Sequence, residues 1–208
     1  MGERRASTVR QVELADAALR IIATQGIAAL STRSLAAEVG LSTGAIFRHF
    51  PSIEALLEAL VTRVEGVLDA TFPSEELPPQ ERLERFIDAR SSAVGDQLGI
   101  LRLILSEQFK LALPQRGSER LAACVEKTRR FVTRCLRAGQ AEGSVRADLP
   151  AEALAPVVMG TVQMLALSPA TGRRRKTEAR AVTASLLAML QPPAPTTSTI
   201  KQRRSPSS

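Results

Sequence analysis

The sequence predicts an all-α protein of about nine helices, with a small three-helix head at the N-terminus and a larger helical domain behind it. Of its 208 residues, 44% are hydrophobic but only 3% are aromatic, with no Trp or Tyr, a composition that favours helix over sheet. Apolar residues recur at helical spacing, and neither a strand pattern nor an internal repeat interrupts them. The 12 Gly and 12 Pro are too few for a fibrous or disordered chain.

The first three helices are predicted by their apolar spacing and their end signals. A helix over 9–25 places apolar residues three and four positions apart and stops at Gly26. Ser31 is a candidate N-cap for a short second helix that Gly40 ends. Ser42 is a candidate N-cap for a third short helix. The expected inward residues of these two short helices are Leu35, Ala36, Val39, Ile46 and Phe50.

The remaining helices follow Pro51. A long helix begins after Ser52 and extends to about residue 68, and the proline-rich stretch 72–79 predicts a linker. Further helical patterns cover 80–94, 97–112, 119–142, 151–168 and 178–190. We therefore predict a head over 1–51, a helical domain over 52–191 and a disordered basic tail over 192–208.

Charge and cysteine content carry little functional information in this chain. Residues 1–169 hold equal numbers of basic and acidic side chains, so the net charge of +7 comes from residues 170–208. Cys124 and Cys135 lie eleven residues apart, about 16 Å along one helix, so they predict two buried free thiols and no disulfide. No apolar run is long enough to span a bilayer and no signal-peptide core is evident, so a cytoplasmic location without membrane contact is expected.

A helix-turn-helix is the most informative pattern in the sequence. The second and third helices meet at Gly40–Leu41–Ser42, a turn of the length that this motif requires. The inward stripe of the third helix leaves small residues near its start and polar or basic residues on its outer surface. A helix that enters the DNA major groove needs this arrangement.

The segment resembles the DNA-binding domain of the tetracycline-repressor (TetR) family over about 50 residues. The shared pattern is a first helix, Gly26, the capped start Ser31–Thr32–Arg33, the turn Gly40–Leu41–Ser42 and the ending Phe47–Arg48–His49–Phe50. Pro51–Leu57 also fits this pattern. The rest of the chain agrees with the family only in length and in the number of helices.

The resemblance implies a set of DNA-binding residues in the head. Thr32 and Arg33 would contact the DNA, and Arg33 is a candidate for a base contact. In the third helix, Ser42, Thr43, Gly44, Ala45 and Arg48 would approach the bases, while Phe47 and His49 would lie against the phosphate backbone. The alternative for Phe47 and His49 is an ordinary position in the core.

Three positions depart from the family pattern. The family often has Lys in place of Thr43, Tyr in place of Phe47 and Lys in place of Ile53, and each loss removes a phosphate contact. A basic N-terminal arm with Arg4, Arg5 and Arg10 would compensate by reaching along a groove. The alternative is a solvated, charged terminus.

The resemblance assigns the C-terminal helices to ligand binding and dimerisation. Helices near 151–168 and 178–190 are apolar enough to form a four-helix interface in a homodimer. A ligand pocket is expected between helices 97–112 and 119–142, with Leu101, Leu105, Glu107 and Gln108 as candidate lining residues. Solvent-facing or structural roles are the alternative for Glu107 and Gln108. The basic run 173–176 is expected in a loop.

These observations predict a ligand-responsive DNA-binding regulator of transcription. We expect a homodimeric repressor that releases a pseudo-palindromic operator on double-stranded DNA when it binds an unknown small-molecule inducer. With one His and no Gly-rich phosphate loop, nucleophile elbow or paired metal-binding cysteines, the sequence indicates no enzyme, cofactor or metal site. The alternative is a helical adaptor that has lost sequence-specific DNA binding.

Overall fold

The computed structural model describes residues 2–96, 100, 103–104, 106–168, 170 and 172–193, with residues 2–8 and 94–96 described as backbone alone. These residues form nine α-helices and no strand. The helices are α1 (Gly2–Gln25), α2 (Thr32–Val39), α3 (Thr43–His49), α4 (Ile53–Asp69), α5 (Pro79–Asp96), α6 (Glu107–Ala112), α7 (Gln115–Glu142), α8 (Ala151–Leu167) and α9 (Gly172–Leu190). A 3₁₀ turn, Ile27–Ala29, precedes α2. The predicted all-α fold is confirmed.

Three predicted boundaries differ from the structure. The first helix begins at Gly2, because no Gly or Pro interrupts residues 3–25, so the predicted basic arm is helical. The predicted helix 97–112 is interrupted at Ser106, whose hydroxyl accepts a hydrogen bond from the Phe109 amide at 3.1 Å and starts α6. The basic run 173–176 lies in the first turn of α9, so its placement in a loop was wrong.

One core joins the head to α4. Buried residues of α1, α2 and α3 pack in the same cluster as six residues along α4, which are Leu56, Leu57, Leu60, Val61, Val64 and Leu68. A bidentate ion pair reinforces this contact, because the Arg63 guanidinium donates to Asp16 of α1 at 2.6 and 3.1 Å. The predicted boundary at residue 51 therefore precedes a helix that shares the core of the head.

A second core joins α5, α7, α8 and α9. Its buried residues include Phe86, Phe131, Leu136, Val158 and Leu186. The rings of Phe86 and Phe131 lie 5.0 Å apart between centroids, which is typical of packed aromatic pairs. Among the described helices, none is long and apolar enough to cross a membrane.

An ion-pair network connects α4 to α7 at the junction of the two cores. Arg120 of α7 donates to Glu58 at 2.9 Å, to the Thr62 hydroxyl at 2.8 Å and to Glu65, its Nε lying 3.0 Å from Glu65 Oε1. One guanidinium on α7 thus holds three polar side chains over two turns of α4.

Candidate nucleic-acid interface

A left-handed glycine makes the turn between α2 and α3. Gly40 has φ 66° and ψ 33°, a conformation that side chains with a Cβ rarely adopt. The next amide, that of Leu41, donates to the Ala36 carbonyl at 2.9 Å and closes the end of α2. The turn is therefore fixed by backbone chemistry, as the spacing in the sequence predicts.

Serine caps fix the start of each short helix. The Ser31 hydroxyl accepts from the Ser34 amide at 3.0 Å, and the Ser34 hydroxyl accepts from the Ser31 amide at 2.9 Å, which forms a capping box. The Ser42 hydroxyl accepts from the Ala45 amide at 3.2 Å. Helices of seven and eight residues need such caps, because their own hydrogen bonds are few.

Buried side chains set which side of α3 faces out. Ile46 is fully buried, and Phe50 packs with it against Leu35 of α2. The opposite surface, called here the reading face, consists of the exposed residues Arg33, Ser42, Thr43, Gly44, Phe47 and Arg48. Phe47 is 48% exposed, so the core alternative for this ring is wrong for the protomer.

Two arginines on the reading face have no ion-pair partner among the described residues. Elsewhere in the head, Arg10 pairs with Glu13 and Arg20 pairs with Glu38. Arg33 and Arg48 lack such a carboxylate, which leaves their guanidinium donors available for an external anion. Bidentate donation from Arg to a phosphate or to a guanine edge requires free donors of this kind.

Three predicted site residues are less exposed than the rest. Ala45 is 8% exposed and packs inward beside Ile46, which corrects the expectation that its side chain approaches the bases. Thr32 is half-buried in the first turn of α2. The His49 ring is also half-buried, its Nδ1 is buried without a hydrogen-bond partner, and its carbonyl accepts from the Gln11 side chain at 3.1 Å. Both alternatives for His49 therefore stay open.

The predicted ligand residues fall partly outside the described structure. Leu101 and Leu105 lie outside the described residues, as do the side chains of Arg4 and Arg5. Glu107 and Gln108 are exposed on α6, and Glu107 pairs there with Lys110, so the solvent-facing alternative holds for both. The short α6 turns them outward, because its buried contact is made by Phe109.

A cavity lies instead between α4, α5, α7 and α8. Ile104 and α7 contribute to its wall, as the predicted pocket position requires, but α5 and α8 complete it. It has a volume of about 70 Å³, and its lining includes Leu68, Phe86, Arg90, Cys124 and Val162. The sequence contains a signal for Arg90 that was missed, since this residue continues the inward stripe Leu83, Phe86 and Ile87 of α5.

Residues 14–60 match the sequence model of a family described as bacterial regulatory proteins, tetR family. The match begins within α1, covers the helix-turn-helix and ends within α4. Over these residues the chain is similar to the tetR family. That family is described as regulatory proteins, and one relative of this chain is named as a transcriptional repressor.

Two curated relatives extend the likeness beyond the tetR-family head. The nucleoid occlusion factor SlmA of Vibrio campbellii is 27% identical over 165 residues, which are 75% of this chain and 81% of that protein. The HTH-type transcriptional repressor KstR2 of Rhodococcus jostii is 25% identical over 149 residues, which are 69% of this chain and 71% of that protein.

Solved structures share the fold over most of this chain. The ketosteroid transcriptional regulator KstR2 of Mycobacterium tuberculosis aligns with a TM-score of 0.77 at 21% identity. The alignment covers 88% of this chain and 96% of the KstR2 chain. AibR, in complex with isovaleryl coenzyme A and operator DNA, has a TM-score of 0.72 at 19% identity and covers 89% of this chain and 100% of its own. At these identities the likeness shows the fold.

Proposed function

We propose that this chain is a homodimeric repressor that releases a pseudo-palindromic operator when a small molecule binds in its C-terminal domain. The observation that carries the proposal is the reading face. It combines small exposed residues of the capped helix α3 with two arginines, one on α2 and one on α3, that have no ion-pair partner among the described residues. Arg33, Arg48 and Thr43 supply donors for phosphates and base edges. Gly44 adds no side chain, so the backbone of α3 can approach the groove closely.

Phe47 and Thr32 belong to the edge of the proposed contact. The exposed Phe47 ring is available to pack against a sugar or phosphate, although it lacks the hydroxyl that a Tyr would offer. Thr32 stands in the first turn of α2, beside Arg33. Ser42 has its hydroxyl committed to the cap, so its contact with DNA would use the remaining hydrogen-bonding capacity of that hydroxyl.

An apolar stripe on α8 supports the proposed homodimer. Five residues spaced four, three, four and three apart lie along one side of the helix, and four of them are exposed. They are Ala153, Val157, Gly160, Met164 and Leu167. A Cβ added at Gly160 would meet nothing within 4 Å in the protomer, so this side of α8 is open to close approach by a partner helix.

The neighbouring helix α9 carries a matching exposed stripe of Val182, Ser185 and Met189. Two helices from each protomer would form a four-helix interface. A two-fold dimer also presents two reading faces, which a pseudo-palindromic operator requires.

Helix α4 is the proposed connection between ligand and operator. Leu68 near its C-terminal end lines the cavity, while Leu56 and Leu57 near its start pack in the core of the head. A ligand that moves Leu68 therefore acts on a helix whose other end is fixed to the head. Release follows if the ligand-bound dimer separates its reading faces by a distance that no longer matches the half-sites.

Selection of genomic fragments bound by the purified protein tests DNA binding and yields the operator. On that operator, Arg48→Ala and Arg33→Ala are each expected to weaken binding, by about 1–3 kcal/mol where the side chain contacts a base. The matched control is Arg130→Ala, which removes one exposed positive charge from α7. Equal binding by all three variants would contradict the proposed reading face, and failure to select any sequence would favour the adaptor alternative.

Sedimentation velocity tests the interface. Met164→Glu places a charge in the middle of the α8 stripe and is expected to shift the protein toward monomer. Leu111→Glu is the control, because Leu111 is the more exposed apolar residue but lies on α6, outside the proposed interface. A dimer that persists in Met164→Glu would contradict the assignment.

A further inference from the structure

A buried arginine projects into the cavity between α4, α5, α7 and α8. Arg90 is only 4% exposed, and it lines the cavity together with apolar residues. Its Nε and Nη2 atoms are buried and have no hydrogen-bond partner among the described residues. Buried guanidinium donors are normally paired, because leaving them unsatisfied costs free energy.

Aromatic rings compensate part of the Arg90 charge from one side. Its Cζ lies 5.0 Å from the ring centroids of both Phe72 and Phe86, within the range of cation–π attraction. The carboxylate of Asp69 is near enough to favour the charged form, but it forms its ion pair with Lys127, at 2.7 Å. Among the described residues, the positive charge therefore has aromatic neighbours and no bound carboxylate.

The guanidinium remains charged at neutral pH. Burial lowers the pKa of Arg90 to about 10, which is still well above physiological pH. A charged group in this position is available to an anion that can reach it through the cavity.

The other lining residues indicate what the uncharged part of that anion is. Most of the lining is apolar and includes Leu68, Ile104, Val162 and Ala166, while Thr128 and Gln163 add two uncharged polar side chains. Arg90 is the one cationic residue among the lining residues that the structure describes. One positive charge matches a singly charged head better than a phosphate dianion, which needs further donors.

We propose that this cavity binds an aliphatic carboxylate, with its carboxylate on Arg90 and its chain against the aliphatic wall. The inference rests on the proposed function, since it names the chemical class of the small molecule that the regulator senses. A carboxylate accepts two hydrogen bonds from the fork of a guanidinium, so it satisfies the donors that the protein leaves unpaired.

The narrow cavity links binding to movement of α4. A volume of about 70 Å³ has room for only a short group, whereas an apolar cavity that admits benzene measures about 150 Å³. A longer chain therefore displaces lining side chains, and Leu68 is the one that α4 contributes. Ligand entry thus acts on the helix that reaches the head.

Titration calorimetry without DNA tests the site, with octanoate as the probe. We expect octanoate to bind the wild-type protein and to bind Arg90→Met at least about tenfold more weakly, the scale of a lost hydrogen bond to a charged group. Arg85→Met is the matched control, because Arg85 lies on the same helix but is exposed and paired with Glu81. Arg90→Lys is expected to fall between the two, since it keeps the charge and loses the fork.

Octanol and octyl phosphate separate the contribution of the head group to binding from that of the chain, because both keep the octyl chain and change the head group. Octanol is expected to bind the wild type at least about tenfold more weakly than octanoate and to be indifferent to Arg90→Met. Tighter binding of octyl phosphate would overturn the choice of a carboxylate. Equal octanoate affinity in the wild type and in Arg90→Met, or no octanoate binding at all, would overturn the site.

The thiol of Cys124 offers a second readout in the same cavity. Cys124 lines the cavity and is half-buried, whereas Cys135 is buried elsewhere, so Cys135→Ser leaves one reporter thiol. Octanoate is expected to slow alkylation of Cys124, and Arg90→Met is expected to lose this protection. Both readouts use DNA-free protein, so failure of specific DNA binding overturns the proposed function, while failure of these two overturns the carboxylate site.

Discussion

Replacing Arg90 with Met is expected to stabilise the ligand-free protein. The change removes a buried charge whose two unsatisfied donor atoms have no partner among the described residues, and it leaves a flexible apolar side chain in the same space. Buried charges without partners are costly, and apolar replacements for buried ionic groups are often neutral or stabilising. The variant therefore separates stability from the proposed ligand binding.

The size of the effect follows from two opposing contributions. Burial lowers the pKa of Arg90 well below the ordinary arginine value, to about 10, and at about 1.4 kcal/mol per pH unit the charged form costs about 3 kcal/mol. The ring contacts with Phe72 and Phe86 return about 1 kcal/mol each, more than at an exposed site because Arg90 is buried. The difference predicts a gain of about 1 kcal/mol in the free energy of unfolding for Arg90→Met.

Urea denaturation followed by circular dichroism at neutral pH measures this gain. The midpoint is expected to rise without a change in the m-value, and both proteins are compared at one concentration because the proposed dimer couples stability to concentration. Arg85→Met, which removes an exposed arginine of the same helix, is expected to change stability by no more than about 0.5 kcal/mol. A loss of stability in Arg90→Met would refute the reasoning, since it would mean that the guanidinium is fully paired.

Three further predictions concern the turn, the α4–α7 contact and the buried thiol. Gly40→Ala is expected to lower the free energy of unfolding by about 1–2 kcal/mol, because its φ of 66° is strained for a residue with a Cβ; unchanged thermal denaturation would contradict this. Arg120→Ala is expected to cost about 1 kcal/mol in low salt and less in high salt, because it leaves Glu58 and Glu65 of α4 unpaired; a cost that salt does not reduce would count against an ionic contact. Burial raises the pKa of Cys135 from 9.0 to about 11, so between these values the folded protein holds a proton that the unfolded chain loses. Stability is therefore expected to fall as pH rises from 9 to 11, and the part of that fall due to Cys135 should disappear in Cys135→Ser.

The head was predictable from the sequence because its signals are local. Ser31, Gly40 and Ser42 act on amides within a few residues of themselves, so spacing alone places the caps and the turn. The burial of Ala45 was not predicted, because its position beside Ile46 depends on how α3 rotates against the core. The long helices were also predictable from local apolar spacing. The break at Ser106 was not predicted, because apolar residues continue on both sides of it.

The cavity was harder to predict because it depends on contacts between distant segments. Arg90 stands at an inward position of α5, which the apolar stripe indicates, yet its neighbours come from α4, α7 and α8. Sequence periodicity gives the face of a helix but not the side chains that meet it. Glu107 and Gln108 were predicted to line the ligand pocket because the sequence around them is typical of one continuous helix. In the structure, α6 is short and has its own N-cap.

The shared core of α1 and α4 determines where hybrid regulators are best joined. Leu56, Leu57 and Leu60 pack in one core with α1, and Arg63 forms an ion pair with Asp16. The core of the first three helices is therefore incomplete without α4. A head joined to another protein at residue 51 would lose the buried α4 side chains that complete its core. It would have to pack against α4 side chains of different shape. A junction beyond Leu68 would keep these contacts of α4 with the head. The C-terminal domain of the second protein would then lose its contacts with its own α4. Exchange of specificity between such regulators is therefore expected to require matched substitutions along α4, not a simple cut between domains.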